Sequence, residues 1–289
     1  MSGEPQILAV KSFTISNVKK FNLCVITPYF RCSSMSYREE WLGNFRFVEY
    51  EEFKLERPSV LFVALPDTGL VGVISASYMT SKLGLSEVGG VDSPYFPPIT
   101  VIHKGFSRPP VRIFAGGRVM TVFTEVSLLP DVQAQLITSL LDYARLRGVD
   151  YVVSSTGIPA HNRLDLDDLR TFYVTSVGGR DDFVEVGGAR MLESGLLIGP
   201  SAVLLKEGAR RRVKVLILLT ESFLEFPDPE AAAKGLIVFS KIFGVKVDVA
   251  DLIEQAEIIK LRARETMKQA ANMMSAMRKD LEYGMPLHM

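Results

Sequence analysis

From Arg57 onward the sequence alternates two kinds of segment, and this alternation narrows the fold more than any other feature. Runs rich in apolar and β-branched residues fall at Val60–Leu65, Ile99–Ile102, Val119–Val126, Tyr151–Ser155, Phe172–Ser176, Ala202–Leu205 and Val213–Leu219. Several are apolar on consecutive residues, which suits strands covered on both faces. Between them, helices are expected at about Thr68–Leu83, Pro130–Arg147, Asp182–Ser194 and Pro229–Phe243. Strands interleaved with helices predict an α/β layer sandwich around a largely parallel sheet. With 289 residues, 47% of them hydrophobic, the chain has enough apolar surface for one large core plus appendages.

Charge and cysteine usage exclude several functions. Thirty-three basic residues cancel thirty-three acidic ones, removing the positive excess that nonspecific phosphate-backbone binding needs. No apolar run approaches the ~18 residues of a membrane span, and the first residues lack the apolar stretch of a signal peptide. A cytoplasmic protein is expected, with neither nucleic acid nor membrane as partner. Cys24 and Cys32 are the two cysteines, too few for a disulfide framework or a four-thiolate zinc site, and they read as free thiols. Residues 1–34 differ in character from the rest of the chain, with Met35 as an alternative start, so residues 1–56 are expected to form a peripheral segment.

Ligands of open α/β sheets gather at the carboxyl ends of strands. Three stretches qualify here: Leu65-Pro66-Asp67-Thr68-Gly69-Leu70-Val71-Gly72, Ser154-Ser155-Thr156-Gly157-Ile158-Pro159 and Thr220-Glu221-Ser222. Asp67, Thr68, Gly69, Ser155, Thr156, Gly157 and Glu221 are therefore the candidate pocket residues. The same residue types also serve structure, because Asp67 or Thr68 suits a helix N-cap and Gly69 and Gly72 let a helix approach the sheet. The two glycines fall short of the dinucleotide fingerprint and no Walker sequence is present, so no nucleotide cofactor is expected. His161 is the histidine nearest the hydroxyls of Ser154, Ser155 and Thr156, a weak basis for a Ser–His pair. His161, Asp165, Asp167 and Asp168 are irregularly spaced and suit a solvated loop better than a metal site. Arg210-Arg211-Arg212 reads as a polar turn and His103 as a strand-end residue. No catalytic, cofactor or metal residue is assigned.

The stretch from Val249 to Tyr283 contains neither Gly nor Pro. Its apolar residues Leu252, Ala256, Ile259, Ala263, Ala270, Met274, Met277 and Leu281 fall mostly three or four apart, one stripe along a helix. With Met267 and Met273 the stripe is expected to form a helix bundle between subunits, the oligomerisation residues being Leu252, Ile259, Met267, Met274, Met277 and Leu281. Gly284 stops the helix and Pro286 prevents its return, so Leu287, His288 and the Met289 carboxylate are presented together. The expected organisation is a peripheral segment over 1–56, an α/β domain over 57–248, a helix over 249–283 and a tail over 284–289.

Three motifs in order along the chain carry a resemblance. Leu65 to Gly72, then Ser155-Thr156-Gly157-Ile158-Pro159, then Gly195-Leu196-Leu197-Ile198-Gly199-Pro200 resemble the archaeal branch of the proteasome assembly chaperone 2 family, from about Arg57 to the C-terminus. The resemblance implies a Rossmann-like body related in architecture to nucleoside phosphorylases, a homo-oligomer, binding to α subunits of the core proteasome, and no catalysis or cofactor. It also implies a role for the tail. Partners that dock on the proteasome α ring end in hydrophobic-Tyr-any residue, corresponding here to Leu287, His288 and Met289. Leu287 would fill an apolar slot, His288 would stand where the tyrosine belongs, and the Met289 carboxylate would meet a basic residue. Histidine departs from the motif, at about 1 kcal/mol of lost burial per tail, which several tails on one oligomer would offset. A second class stays open: a small-molecule-binding protein or enzyme, ATP-grasp-like or phosphorylase-like, using the loops around Asp67, Thr156 and Glu221.

Overall fold

The computed structural model describes residues 38–103, 105–166, 168–177, 187–254 and 256. In chain order the strands are β1 (Arg38–Leu42), β2 (Phe45–Glu49), β3 (Val60–Ala64), β4 (Ser86–Asp92), β5 (Val101–His103), β6 (Phe106–Arg108), β7 (Val111–Gly116), β8 (Val119–Phe123), β9 (Tyr151–Pro159), β10 (Thr171–Thr175), β11 (Arg190–Met191) and β12 (Val215–Ser222). The helices are α1 (Val71–Lys82), α2 (Pro130–Leu146), α3 (Pro200–Arg211) and α4 (Pro229–Phe243). Ten strands form one mixed sheet in the order β1-β2-β4-β7-β8-β3-β9-β12-β10-β11, while β5 and β6 make a separate hairpin.

The central strand β3 shows why this chain folds in layers. All five of its residues are buried, and alternate side chains enter different cores. Leu61 and Val63 pack with Leu136 and Leu140 of α2 and Leu204 of α3. Val60, Phe62 and Ala64 pack with Met79 of α1 and Leu236 and Phe239 of α4, the Phe62 and Phe239 rings meeting edge-on at 5.6 Å. Helices therefore cover both sheet faces, α2 beside α3 on one and α1 beside α4 on the other.

Several expectations need correction. The sheet is parallel only at its centre, across β8, β3, β9 and β12, and in the two-residue β10–β11 pairing. The flanks are antiparallel; at β1–β2 and β7–β8 this follows from tight turns, which cannot carry a strand back to the same end. Ala202–Leu205 is not a strand but lies in α3, which starts with Pro200 at its first position, where a proline loses nothing. Its apolar residues form a helix face with Leu204 inside. Of the helix expected over Asp182–Ser194, residues 182–186 lie outside the described residues, and Arg190–Met191 are extended as β11. Only Val101 and Ile102 of Ile99–Ile102 are strand, in the small hairpin.

The body also begins earlier than residue 57. β1 and β2 pair into the main sheet through β4, and Phe45 and Phe47 are buried in its core, so the segment from Arg38 is not peripheral. At the other end, Leu252 and Ala256 pack into the core layer of α1 and α4, Leu252 being 3% exposed. Leu252 is thus used within its own chain and is unavailable as an oligomerisation contact. Ile259, Met267, Met274, Met277, Leu281, Leu287, His288 and Met289 lie outside the described residues.

Candidate functional site

Where β3 ends, the chain runs through Leu65 and Pro66 to Asp67, and a short 3-10 turn over Thr68–Leu70 leads into α1. Asp67 is extended and caps this turn: its Oδ1 accepts from the Thr68 N–H at 2.9 Å. Its Oδ2 accepts from the Thr156 hydroxyl of the neighbouring strand β9, also at 2.9 Å. Ser201, in the first turn of α3, donates a third hydrogen bond. One carboxylate thus ties together the ends of β3 and β9 and the start of α3. Burial pushes the Asp67 carboxyl above the usual carboxylate range, and the three hydrogen bonds offset part of that rise.

Two glycines make the junction possible. A Cβ on Gly157 would lie 2.0 Å from Ser222 Oγ and 2.9 Å from the Thr68 carbonyl oxygen, so β9 passes here at backbone-contact distance. Gly199, at φ 89°, lies against Asp67, and a Cβ there would come within 3.2 Å of Oδ1.

Beside this junction opens a cavity of about 580 Å³. Asp67, Thr68, Thr156 and Gly157 line one part, and Ile158, Leu192, Leu197, Leu219 and Leu224 supply apolar walls. Leu196 and Ile198, 88% and 76% exposed, stand at its rim. The volume is that of a small-molecule site and the lining is mostly apolar with few polar groups, as such sites are.

Four of the seven residues expected here, Asp67, Thr68, Thr156 and Gly157, are brought together, and three are not. Gly69 lies buried against Ser222 rather than in the cavity wall. Ser155 follows the alternation of β9 and faces α4, where Gly235 leaves room for its hydroxyl; among the described residues that hydroxyl has no hydrogen-bond partner. Glu221 is claimed by Arg170, whose backbone N–H reaches Oε2 at 2.8 Å and whose Nε reaches Oε1 at 2.9 Å. The Arg170 guanidinium holds the Glu221 carboxyl below its usual range.

Next door, sharing Pro159 and Leu224, lies a smaller cavity of about 370 Å³ lined by His161, Arg163, Asp165, Phe223 and Glu225. Arg163 is 2% exposed and Asp228 1%. The pair is bidentate, Nε to Oδ2 at 2.7 Å and Nη2 to Oδ1 at 2.9 Å, and Nη2 also reaches Glu230 at 2.8 Å. Asp228 completes its set by accepting from the Phe223 N–H and, as the N-cap of α4, from the Ala231 N–H, each at 3.0 Å. The sequence signals only half of this arrangement: Asp228-Pro229 before an apolar helix reads as a cap, whereas nothing local to Arg163 distinguishes it. Asp168 pairs with Lys234 across 2.6 Å, and no group of three or more His, Cys, Asp or Glu among the described residues is placed to hold a metal. No helix of the described residues is long and apolar enough to cross a membrane.

The model of the PAC2 family matches residues 61–267, most of the chain. The chain belongs to the PAC2 family. This PAC2 protein is 27% identical over 241 residues to an uncharacterized protein of Methanocaldococcus jannaschii, spanning 83% of the chain and 98% of the relative. Among solved structures it is similar to Pyrococcus furiosus PbaA, described as an archaeal homolog of proteasome-assembly chaperone. That match has 26% identity and a TM-score of 0.66, covering 79% of this chain and 98% of PbaA. Pyrococcus furiosus PbaB, described as an archaeal proteasome activator, shares the fold with a TM-score of 0.66 at 19% identity, covering 78% of this chain and 99% of PbaB.

Proposed function

We propose that this PAC2 protein is a noncatalytic assembly chaperone or adaptor of the core proteasome, working as a cytoplasmic homo-oligomer of archaeal type. The observation that carries the reading is the likeness to PbaA, a homolog of proteasome-assembly chaperone, at 26% identity over nearly its whole length. The site is consistent with a noncatalytic role. Asp67 is hydrogen-bonded by hydroxyls and a backbone N–H, and no histidine, lysine or cysteine stands among the described residues lining its cavity to act as base or nucleophile.

The α/β body is Rossmann-like in this reading, and the helix over 249–283 joins subunits. Leu252 belongs to the intrachain core, so the oligomer stripe starts at Ile259 and continues through Met267, Met274, Met277 and Leu281. The tail then docks onto α subunits through Leu287, His288 and the Met289 carboxylate. Binding of the full-length protein and of a variant lacking residues 287–289 to the α ring of its own organism's proteasome tests this reading. The deletion is expected to keep its oligomer size in light scattering while losing most α-ring affinity. Undiminished binding by the deletion would remove the tail from the mechanism, and absence of binding by either form would overturn the adaptor reading.

A further inference from the structure

The polar end of the 580 Å³ cavity presents one charge and nothing among the described lining residues to neutralise it. Three protein donors reach the Asp67 carboxylate, from Thr68, Thr156 and Ser201, and all three are neutral. An ionised carboxylate has about four acceptor positions, so one remains open on a side chain that borders the cavity. None of the described lining residues is Lys, Arg or His. In the adjoining cavity Arg163 is held by Asp228 and Glu230 through Nε and Nη2, and exposed His161 stands there with the exposed acids Asp165 and Glu225. The rest of the large cavity is aliphatic, from buried Leu219 out to Leu196, Ile198 and Leu224 at the opening.

We propose that this cavity is a binding site for a ligand with an apolar body and a single ammonium group, the ammonium seated on Asp67 and the body against the leucine wall. Charge and shape both lead to this class. An anion would face Asp67 with no compensating cation among the described lining residues, and a neutral apolar molecule would leave the open acceptor position unfilled in an environment that already disfavours the charge. An ammonium satisfies the position and neutralises the carboxylate in a setting of low polarity, where such a pair is stronger than in water. Burial raises the affinity of Asp67 for a proton, so binding of an ammonium ligand is expected to release protons in the pH range where Asp67 titrates. The volume exceeds what a short alkyl chain fills, and a phenylalkyl body matches it better.

The test is a titration of the full-length, methyl-labelled protein with 4-phenylbutylammonium, 4-phenylbutanol and 4-phenylbutyrate, followed by the methyl resonances of Leu192, Leu197, Ile198, Leu219 and Leu224. The three probes share a phenylalkyl body and differ chiefly in the head group and its charge. The ammonium compound is expected to bind at least tenfold tighter than the alcohol, with the carboxylate weakest. Asp67→Asn should bring ammonium and alcohol to equal affinity. Leu224→Lys, at a position 62% exposed and therefore tolerant of change, should weaken the ammonium compound and favour the carboxylate. Nα-acetyl-lysine methylamide distinguishes the sources of this chemistry: tighter binding than 4-phenylbutylammonium assigns the site to a partner's lysine, and weaker binding assigns it to free amines. Equal affinity for ammonium and alcohol in the unaltered protein, preference for the carboxylate, or no methyl shift with any probe would overturn the proposal.

Discussion

Replacing Arg163 with methionine isolates the most buried charge pair described in this fold. The Asp228 carboxylate, 1% exposed, receives four hydrogen bonds: two from Arg163 and one each from the Phe223 and Ala231 N–H groups. Arg163→Met keeps the apolar stem and roughly the volume but deletes half of these bonds and the whole countercharge. Asp228 then stays buried with two backbone donors, and breaking a buried pair this way costs about 3–5 kcal/mol. Against the roughly 5–15 kcal/mol of a typical domain, the variant should remain folded but lose much of its margin. Urea unfolding followed by circular dichroism measures the loss. Asp228→Asn is the partner experiment, since asparagine is as good an N-cap as aspartate and leaves α4 started. In the double variant no buried carboxylate remains at position 228, so its destabilisation should be smaller than the sum of the singles by about 2 kcal/mol. If Arg163→Met costs under about 1 kcal/mol, or if the two changes add, the pair is not what fastens the loop after β9 to α4, and the reasoning from burial fails.

Two further outcomes are expected at the site. Gly157→Ala places a methyl 2.0 Å from Ser222 Oγ and should cost about 1–3 kcal/mol by overpacking, visible as a drop of several degrees in Tm, with Ser222→Ala in the same chain recovering part; an unchanged Tm would refute the close passage of β9. Because Arg170 lowers the folded-state pKa of Glu221, the stability it contributes is present above the ordinary glutamate value of 4.5 and is lost as pH falls through the folded value. Glu221→Gln should therefore be less stable at pH 7, with the deficit closing under acid conditions, and a deficit constant from pH 7 to 3 would show that the ion pair is not its source.

Much of the body was legible because its signals are local. β3 and β8 lie within the runs expected to be strands, β9 and β12 begin in such runs and continue through polar residues, and α1, α2 and α4 fall within the stretches expected to be helical. The rule that ligands gather at strand ends singles out Asp67, Thr156 and Gly157, and these three line one cavity. What escaped notice depends on partners far away in sequence. β4 carries Gly89-Gly90 and a register shift after Glu87, which blur its alternation, and its place is set by pairing with β2 and β7. Ala202–Leu205 has strand-like composition, but the turn at Gly199 and Pro200 commits the segment to a helix. Glu221 looked free in sequence and is occupied by Arg170, a residue 51 positions away. Leu252 fits a helical stripe equally well whether that stripe meets another subunit or its own core, and only packing distinguishes the two.

The two ends of the ten-stranded sheet bear on how copies of this protein can meet. At one end β1 reads Arg-Glu-Glu-Trp-Leu, with Arg38 and Glu39 exposed, and at the other β11 is two residues long. A charged border strand and a stub are both poor templates for adding another strand. Among the described residues, continuation of the sheet into another copy is thus disfavoured at either border, so any contact between copies would fall to helical faces and loop surfaces, where it can close rather than propagate.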